Sequence, residues 1–183
     1  MVAHPNIRFL ATDIWDTPDD GKRYEVIDGQ LFMTPPPIRE HQHASSELHY
    51  YLSHYVHVHP IGLVYAAPFG VILDGENGLQ PDLVYVSNER RGILTDNGID
   101  GAPDLVVEIL SPSTRSRDLG IKLRRYAAAG VPHYWIADPR AKTLAVRELG
   151  PNGYSAPVIY RSGDIFRPDL FPGLEIAIAR LWI

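Results

Sequence analysis

The sequence of 183 residues contains no cysteine, which excludes a disulfide framework and a thiolate metal site. It also lacks any apolar run near the ~20 residues that a membrane-spanning helix needs. The N-terminus has no basic segment followed by an apolar stretch, so we predict no secretory signal and expect a cytoplasmic protein. Positive charge is not in excess, because the formal net charge is −5. Binding of a polyanion would therefore need a local basic patch or a metal ion.

What the sequence does contain is typical of a folded α/β (α+β) protein. Hydrophobic residues make up 45% of the chain, and this length is most simply a single domain over residues 1–183. The pattern predicts a central mixed β-sheet flanked by helices, with an N-terminal β-hairpin. The predicted elements are, in order, a hairpin over 24–33, a helix over 39–58, strand-like runs over 63–74, 80–87 and 103–110, a helix over 115–129, a strand over 133–138 and a strand pair over 143–160.

Glu108 does not fit its surroundings. It lies inside "LVVEIL", a run typical of a strand buried on both faces, where an ionised carboxylate must be paired, neutralised or bound to a metal. Asp104 stands four residues away on the same strand, about 13 Å at ~3.3 Å per residue, which is too far to share one ion. Asp82 begins the preceding strand. Antiparallel pairing of these two strands would therefore bring Asp82 and Glu108 together on one face.

Two converging acids indicate a site for a hard cation such as Mg²⁺ or Mn²⁺, and the main-chain carbonyl of Ile109 could supply a further oxygen ligand. Phosphodiester hydrolysis uses such an ion to neutralise developing charge and to activate water. Lys122, on the helix predicted to follow Glu108, is the candidate cation for stabilising that charge. We expect Lys122 to act on chemistry more than on folding. We also expect burial and the charge of Asp82 to raise the pKa of Glu108.

The segments "RYEVIDGQL", "QPDLVYVS" and "GAPDLVVEILSPSTRSRDLGIKLRRYAAAGVPHYWIADP" resemble the Uma-type family of restriction-endonuclease-like proteins, which belongs to the PD-(D/E)xK nuclease superfamily. The resemblance runs over roughly residues 8–183. It implies a restriction-endonuclease-like core whose active site lies at one end of the central strands, with Asp82 and Glu108 as the two acidic ligands. The superfamily pattern expects a lysine two residues after the second acid, where this sequence has Leu110. The resemblance implies that Lys122, on the following helix, takes that place.

Several further residues are candidates for lining the site. Ser111 and Ser113 belong to a turn whose hydroxyls could contact a phosphate, although capping of the next helix would also explain them. Glu25 lies in a segment that carries the resemblance, and a surface position on the hairpin is its alternative. Glu47 is the one carboxylate in the body of the first helix, where this nuclease core often has an extra acid.

The predicted second helix contributes acidic and basic candidates for the site. Asp118 could form an i,i+4 pair with Lys122 on the helix surface, or hold that lysine in place. His41 could approach the site from the start of the first helix. The basic residues that could follow a phosphate backbone are Arg115, Arg117, Arg124 and Arg125.

The sequence leaves more than one function open. The first is a metal-dependent nuclease that cuts nucleic acid, preferably DNA, and works as a homodimer because many duplex-cleaving enzymes pair two active sites. The second is a non-catalytic nucleic-acid-binding or assembly module that retains the nuclease core. The third is a purely structural site in which Glu108 pairs with Arg124 or Arg125 and no metal binds. Zinc is disfavoured because a His-x-His pair on a helix points its rings roughly 200° apart and no His-Glu-x-x-His pattern occurs.

Overall fold

The computed structural model describes residues 7–183. Residues 1–6 lie outside the described residues. They include the start of the predicted domain and of the N-terminal segment in which we predict no secretory signal. The helical segments are α1 (Arg39–Val58), α2 (Arg115–Arg117) and α3 (Leu123–Ala129), a π-helical turn Asp118–Lys122 that joins the last two, and 3₁₀ turns at Ala11–Asp16, Asn88–Ile93 and Ile178–Leu181. The strands are β1 (Arg23–Ile27), β2 (Gln30–Thr34), β3 (Gly62–Ala66), β4 (Gly70–Asp74), β5 (Asn77–Leu79), β6 (Leu83–Ser87), β7 (Gly98–Asp100), β8 (Leu105–Ile109), β9 (His133–Asp138), β10 (Thr143–Gly150), β11 (Gly153–Tyr154), β12 (Val158–Arg161), β13 (Ile165–Phe166) and β14 (Ile176–Ala177).

The larger sheet has the strand order β11-β10-β9-β8-β6-β3, and β12 also pairs with β10. Strands β8 and β9 are parallel, whereas β6 is antiparallel to both β8 and β3. The predicted mixed central sheet is therefore confirmed. Residues 115–129, which lie between β8 and β9, are helical and provide the crossover that two parallel strands need.

The smaller sheet has the order β2-β1-β5-β4-β7 and contains the predicted N-terminal hairpin. Strands β1 and β2 pair antiparallel around Asp28-Gly29, whose φ angles are 52° and 71°. A two-residue hairpin turn with both central residues in the left-handed region is the geometry that the Asp-Gly pair favours. A separate two-stranded pair, β13-β14, lies near the C-terminus.

Both faces of the larger sheet are buried, and alternate residues of a strand face different cores. Leu83 and Val107 face a core shared with Leu48 and Leu52 of α1. Val84 and Val106 face a second core, which includes Ile27 and Leu79 of the smaller sheet and Tyr126 of α3. This arrangement explains the continuous apolar runs in the sequence. It also decides which way the two acids point. Asp82 is two residues from Val84 and Glu108 is two residues from Val106, so both acids lie on the face of the sheet that is turned to the second core.

Two sequence-based predictions need correction. The run 63–74 is not one strand: it forms β3 in the larger sheet and β4 in the smaller one, separated by residues that include Pro68. The second helix begins and ends as predicted, with Gly130 at a φ of 84°, but it contains the π-helical turn. Among residues 7–183, no helix combines the length and the apolar character needed to cross a bilayer.

Candidate active site

Strand pairing brings Asp82 and Glu108 together. Strands β6 and β8 run antiparallel with Leu83 opposite Val107, so Asp82, the residue before β6, lies opposite Glu108. Directly opposed residues of an antiparallel pair point to the same face. The main-chain N–H of Ile109 donates to Asp82 Oδ2 at 2.7 Å, which ties the carboxylate to the end of β8. Both acids are buried, with exposed fractions of 3% and 2%. The predicted antiparallel pairing, with both acids on one face, is confirmed, and the sharing of one ion by their carboxylates stays a prediction.

Lys122 lies at the centre of the other carboxylates. Its Nζ is 3.0 Å from Glu108 Oε1, 2.7 Å from Glu25 Oε1 and 3.3 Å from Asp118 Oδ1. The Tyr126 hydroxyl also donates to Glu108 Oε1, at 2.8 Å. Among residues 7–183, no hydrogen bond involves Glu108 Oε2. The side chain of Glu108 is therefore held through one oxygen, and its second oxygen is available to a ligand.

Asp82 has a different set of partners. Arg23 Nη1 donates to Asp82 Oδ1 at 2.6 Å, and His41 Nε2 lies 3.2 Å from Asp82 Oδ2. Arg23 and Glu25 are two residues apart on β1 and thus face the same side of that strand. The hairpin consequently supplies one cation to Asp82 and one anion to Lys122. We call the seven residues around these contacts the buried acid cluster: Arg23, Glu25, His41, Asp82, Glu108, Asp118 and Lys122.

The surroundings of Asp82 and Glu108 shift the pKa values of the two acids in opposite directions. Burial raises the pKa of Glu108 well above its usual value; Lys122 opposes that shift, and the neighbouring carboxylates reinforce it. Burial also disfavours the ionised form of Asp82, but the bond from His41 and the charge of Arg23 outweigh it and lower the pKa of Asp82 to about 2. Burial raises the pKa of Asp118. The expected rise in the pKa of Glu108 is confirmed, whereas the lowered pKa of Asp82 keeps that acid ionised at neutral pH.

Burial also changes the interpretation of Lys122. Its exposed fraction is 2%, and although burial disfavours the charged form, the surrounding carboxylates raise the pKa of its ammonium group. Removing this lysine would leave three buried acids without their cation, so Lys122 also has a structural role. The expectation that it adds little to the core is therefore wrong, whereas its role in chemistry stays a prediction. Its contact with Asp118 is likewise not a surface pair, because Asp118 is 1% exposed.

The family model Uma2, described as "Putative restriction endonuclease", matches residues 11–179. The chain belongs to the Uma2 family. The fold agrees with this assignment: the crystal structure of a "putative nuclease" from Anabaena variabilis ATCC 29413 superposes with a TM-score of 0.77. The alignment covers 94% of this chain and 97% of that chain at 19% identity, so this likeness shows the fold alone. No curated protein matches the sequence.

The departure from the superfamily pattern has a structural counterpart in this Uma2 chain. Leu110, which occupies the expected lysine position, is 7% exposed and packs in the second core. Lys122 supplies an ammonium group beside Glu108 from the π-helical turn instead. A π-helical turn inserts one extra residue into a helix and is frequent at functional sites.

The remaining candidate residues are only partly brought to the cluster. Glu25 and His41 belong to it, and Ser111 and Ser113 line a cleft beside it. Glu47 does not: its carboxylate lies 3.8 Å from Arg180 Nε. Ile109 reaches Asp82 through its N–H, and a ligand role for its carbonyl stays a prediction.

The four arginines of the second helix surround the site without joining it. Arg115 pairs with Asp138 at 2.6 Å, and Arg117 donates to Thr34 and lies over the ring of Phe32. Arg125 pairs with Asp28 at 2.5 Å, whereas Arg124 is exposed. Glu108 pairs with Lys122, so the proposed structural pair with Arg124 or Arg125 is wrong. Phosphate binding by these arginines stays a prediction.

Sequence reasoning missed two members of the site, Arg23 and Tyr126. Each had a local signal. Arg23 stands two residues before Glu25 on a strand, and Tyr126 stands four residues after Lys122 on a helix, the spacings that place side chains on one face. These spacings indicate a site residue only if Glu25 and Lys122 are already known to be buried in the site.

The buried acid cluster fits a divalent cation in charge and in donor type. Four carboxylates face two permanent cations, which leaves an excess of two negative charges when all the acids are ionised. Both carboxylate oxygens of Asp118 are buried, and Oδ1 forms the ion pair with Lys122 at 3.3 Å. Among residues 7–183, no group of three His, Cys, Asp or Glu side chains is arranged to hold a metal. Mg²⁺ needs fewer protein ligands, because one or two carboxylates with water suffice.

Proposed function

We propose that the protein is a metal-dependent nuclease that hydrolyses phosphodiester bonds, with DNA as the preferred substrate. The observation that carries this proposal is the opposition of Asp82 and Glu108 across β6 and β8, with the Lys122 ammonium 3.0 Å from Glu108. Membership of the Uma2 family supports the same conclusion. Asp82, Glu108 and the Ile109 carbonyl would hold Mg²⁺ or Mn²⁺. When bound, the ion would neutralise charge on the phosphate and lower the pKa of the attacking water.

The residues of the chain have distinct roles in this proposal. Asp82 is kept ionised by Arg23 and His41 and is ready to bind a cation without losing a proton. Glu108 is held by Lys122 and Tyr126 with Oε2 directed to no internal partner. Lys122 carries a fixed positive charge and stabilises the negative charge that develops on the scissile phosphate. Many enzymes that cut both strands of a duplex pair two such sites, so we extend the proposal to a homodimer in solution, which light scattering would test.

The experiment that tests the proposal is cleavage of labelled DNA and RNA, single-stranded and duplex, with Mg²⁺ or Mn²⁺. Asp82→Ala removes one ligand and should abolish cleavage, whereas Asp96→Asn removes an exposed charge and should leave it unchanged. Activity that survives Asp82→Ala would refute the assignment. Metal binding without cleavage of any substrate would favour the alternative, a nucleic-acid-binding module that retains the core.

A further inference from the structure

Among residues 7–183, strand β2 is an edge of the smaller sheet, with β1 as its one neighbour. The two-residue turn makes Ile27 and Gln30 a hydrogen-bonded pair, and bonded and non-bonded pairs then alternate along the ladder. Leu31 and Met33 therefore belong to non-bonded pairs, and their main-chain N–H and C=O groups point away from β1. The turn and loop hydrogen bonds of the described chain give these four groups no partner either.

This edge lacks the features by which proteins protect such a strand. The sequence of β2, QLFMT, has no charge and no proline, and its pairing with β1 has no bulge. By comparison, β7 at the opposite edge of the same sheet has only three residues. An open edge of unpaired donors and acceptors is a template for another strand. The partner that fits this surface is therefore a β-strand.

The open groups of β2 complement those of a second copy of β2. A two-fold axis at Phe32 places Leu31 of one copy opposite Met33 of the other. Each such pair exchanges two N–H···O bonds, so the dimer gains four hydrogen bonds. Every open group of both edges is then satisfied.

The residues beside the edge favour this register over its neighbours. Gly29 already bonds through both its N–H and its C=O, and Pro35 has no N–H. A two-fold axis at Leu31 would place Met33 opposite Gly29, and an axis at Met33 would place Leu31 opposite Pro35. Both alternatives leave open groups without a partner, so the axis at Phe32 is the one that uses them all.

The side chains of the same residues add apolar contact. Leu31 and Met33 are 38% and 54% exposed and point to one face of the hairpin. A cleft of about 290 Å³ opens beside Leu31, and its other apolar lining residues are Phe9, Pro18 and Tyr24. Asp13, Asp16 and Thr17 complete the lining. In the register with its axis at Phe32, Met33 of the second copy lies beside this cleft, and its flexible thioether can pack against the apolar part.

The opposite face of the hairpin carries a charge near the same edge. Phe32 points to that face, and the guanidinium of Arg117 lies 5.0 Å from the centroid of its ring. In the dimer the two arginines would stand on the same side of the joined strands, and their like charge opposes association. Salt screens this repulsion, so added salt should not dissociate the dimer.

We propose that β2 pairs antiparallel with β2 of a second copy about a two-fold axis at Phe32, which joins the two smaller sheets into one. This inference rests on the homodimer of the proposed function and deepens it, because it assigns the surface through which the copies meet. Glu25 lies opposite Phe32 in the hairpin and shares its face. The buried acid clusters of both copies therefore lie on the same side of the joined sheet, which suits cleavage of both strands of a duplex.

Sedimentation velocity over a series of protein concentrations measures the association. The wild type should form a dimer. Met33→Glu places a carboxylate beside Asp13 and Asp16 of the other copy, so the dissociation constant of the dimer should rise about ten-fold or more. Met33 is exposed within one copy, so the melting temperature of the monomer should be retained. Val158→Glu adds the same charge to an exposed position of β12 and should leave the dimer unchanged.

Single cysteines report the register, because the chain contains no other cysteine. Phe32→Cys should form a disulfide between the copies under mild oxidation, since the two residues at the axis form a non-hydrogen-bonded pair with Cα atoms about 4.5 Å apart. Met33→Cys is the matched control at a more exposed position of the same strand. It should not form the disulfide, because its two copies lie about 8 Å apart across the joined strands.

The inference is overturned by a wild type that stays monomeric, by a dimer that Met33→Glu leaves intact or that salt dissociates, by equal weakening in Met33→Glu and Val158→Glu, or by a disulfide through Met33→Cys instead of Phe32→Cys. A monomer that pairs only after deletion of residues 1–6 would show that this segment occupies the edge, and would also overturn it. Association does not require hydrolysis, so absence of Asp82-dependent cleavage would refute the nuclease and leave this interface standing. A dimer that forms through another surface would keep the homodimer and refute the pairing of β2.

Discussion

Replacing Lys122 by methionine should destabilise the metal-free protein strongly at alkaline pH. The side chain is 2% exposed and lies within 3.3 Å of three carboxylates, so methionine keeps most of the stem packing and leaves those acids without their cation. Removing one partner of a buried ion pair costs about 3–5 kcal/mol. For a chain of this size, that corresponds to a fall in melting temperature of about 6–20 °C.

The loss should shrink on acidification. The pKa values of Glu108 and Asp118 are already raised in the folded protein and rise further without Lys122. An acid whose folded pKa is raised gives its full stability below the ordinary carboxylate range and loses it as pH rises through the folded pKa. Thermal unfolding in EDTA at about pH 5 and about pH 8.5 measures the difference between Lys122→Met and wild type. Lys22→Met, which breaks an exposed pair with Asp20, is the control and should unfold close to wild type. Equal losses in both variants, or a Lys122→Met loss that does not depend on pH, would refute the reasoning.

Two other predictions follow from the contacts of Glu108. Tyr126→Phe removes a hydroxyl that donates to Glu108 at 2.8 Å in a fully buried position, so the free energy of unfolding should fall by about 1.5–3 kcal/mol; a urea titration that matches wild type would contradict this. Binding of Mn²⁺ should release protons below the raised pKa of Glu108 and should tighten as pH rises, because the ligand must be ionised. Calorimetry in two buffers with different ionisation enthalpies measures the release, and identical heats in both buffers would rule it out.

The pairing of Asp82 with Glu108 could be predicted from sequence because it depends on local rules. Both strands are apolar and short, the connection between them permits antiparallel pairing, and parity then decides which side chains share a face. The hairpin around Asp28-Gly29 is predictable for a similar reason, since the turn chemistry is contained in two residues. The Uma-type resemblance explained why the lysine of the site is expected at position 122 and not at position 110, where the superfamily pattern has it.

The surroundings of that pair could not be predicted, because they are made by residues far apart in the chain. Arg23 reaches Asp82 across 59 positions, and no local pattern indicates that contact. Lys122 contacts Glu25 of β1 and Glu108 of β8, which are 97 and 14 positions away in the chain, so its spacing within the helix does not predict this surrounding of acids. The run 63–74 forms two strands, and Pro68 and Gly70 lie where the first ends and the second begins. The apolar composition of the run nevertheless favoured the prediction of a single strand.

Direct measurement of Mn²⁺ binding tests whether Asp82 and Glu108 together hold one divalent cation. Titration calorimetry at about pH 8 should give one Mn²⁺ per chain for the wild type and for the exposed control Asp96→Asn. Asp82→Asn and Glu108→Gln should each abolish that binding while the circular dichroism spectrum of the folded protein is retained. Undiminished Mn²⁺ binding by both folded variants, or no binding by the wild type, would show that these two carboxylates do not form the metal site.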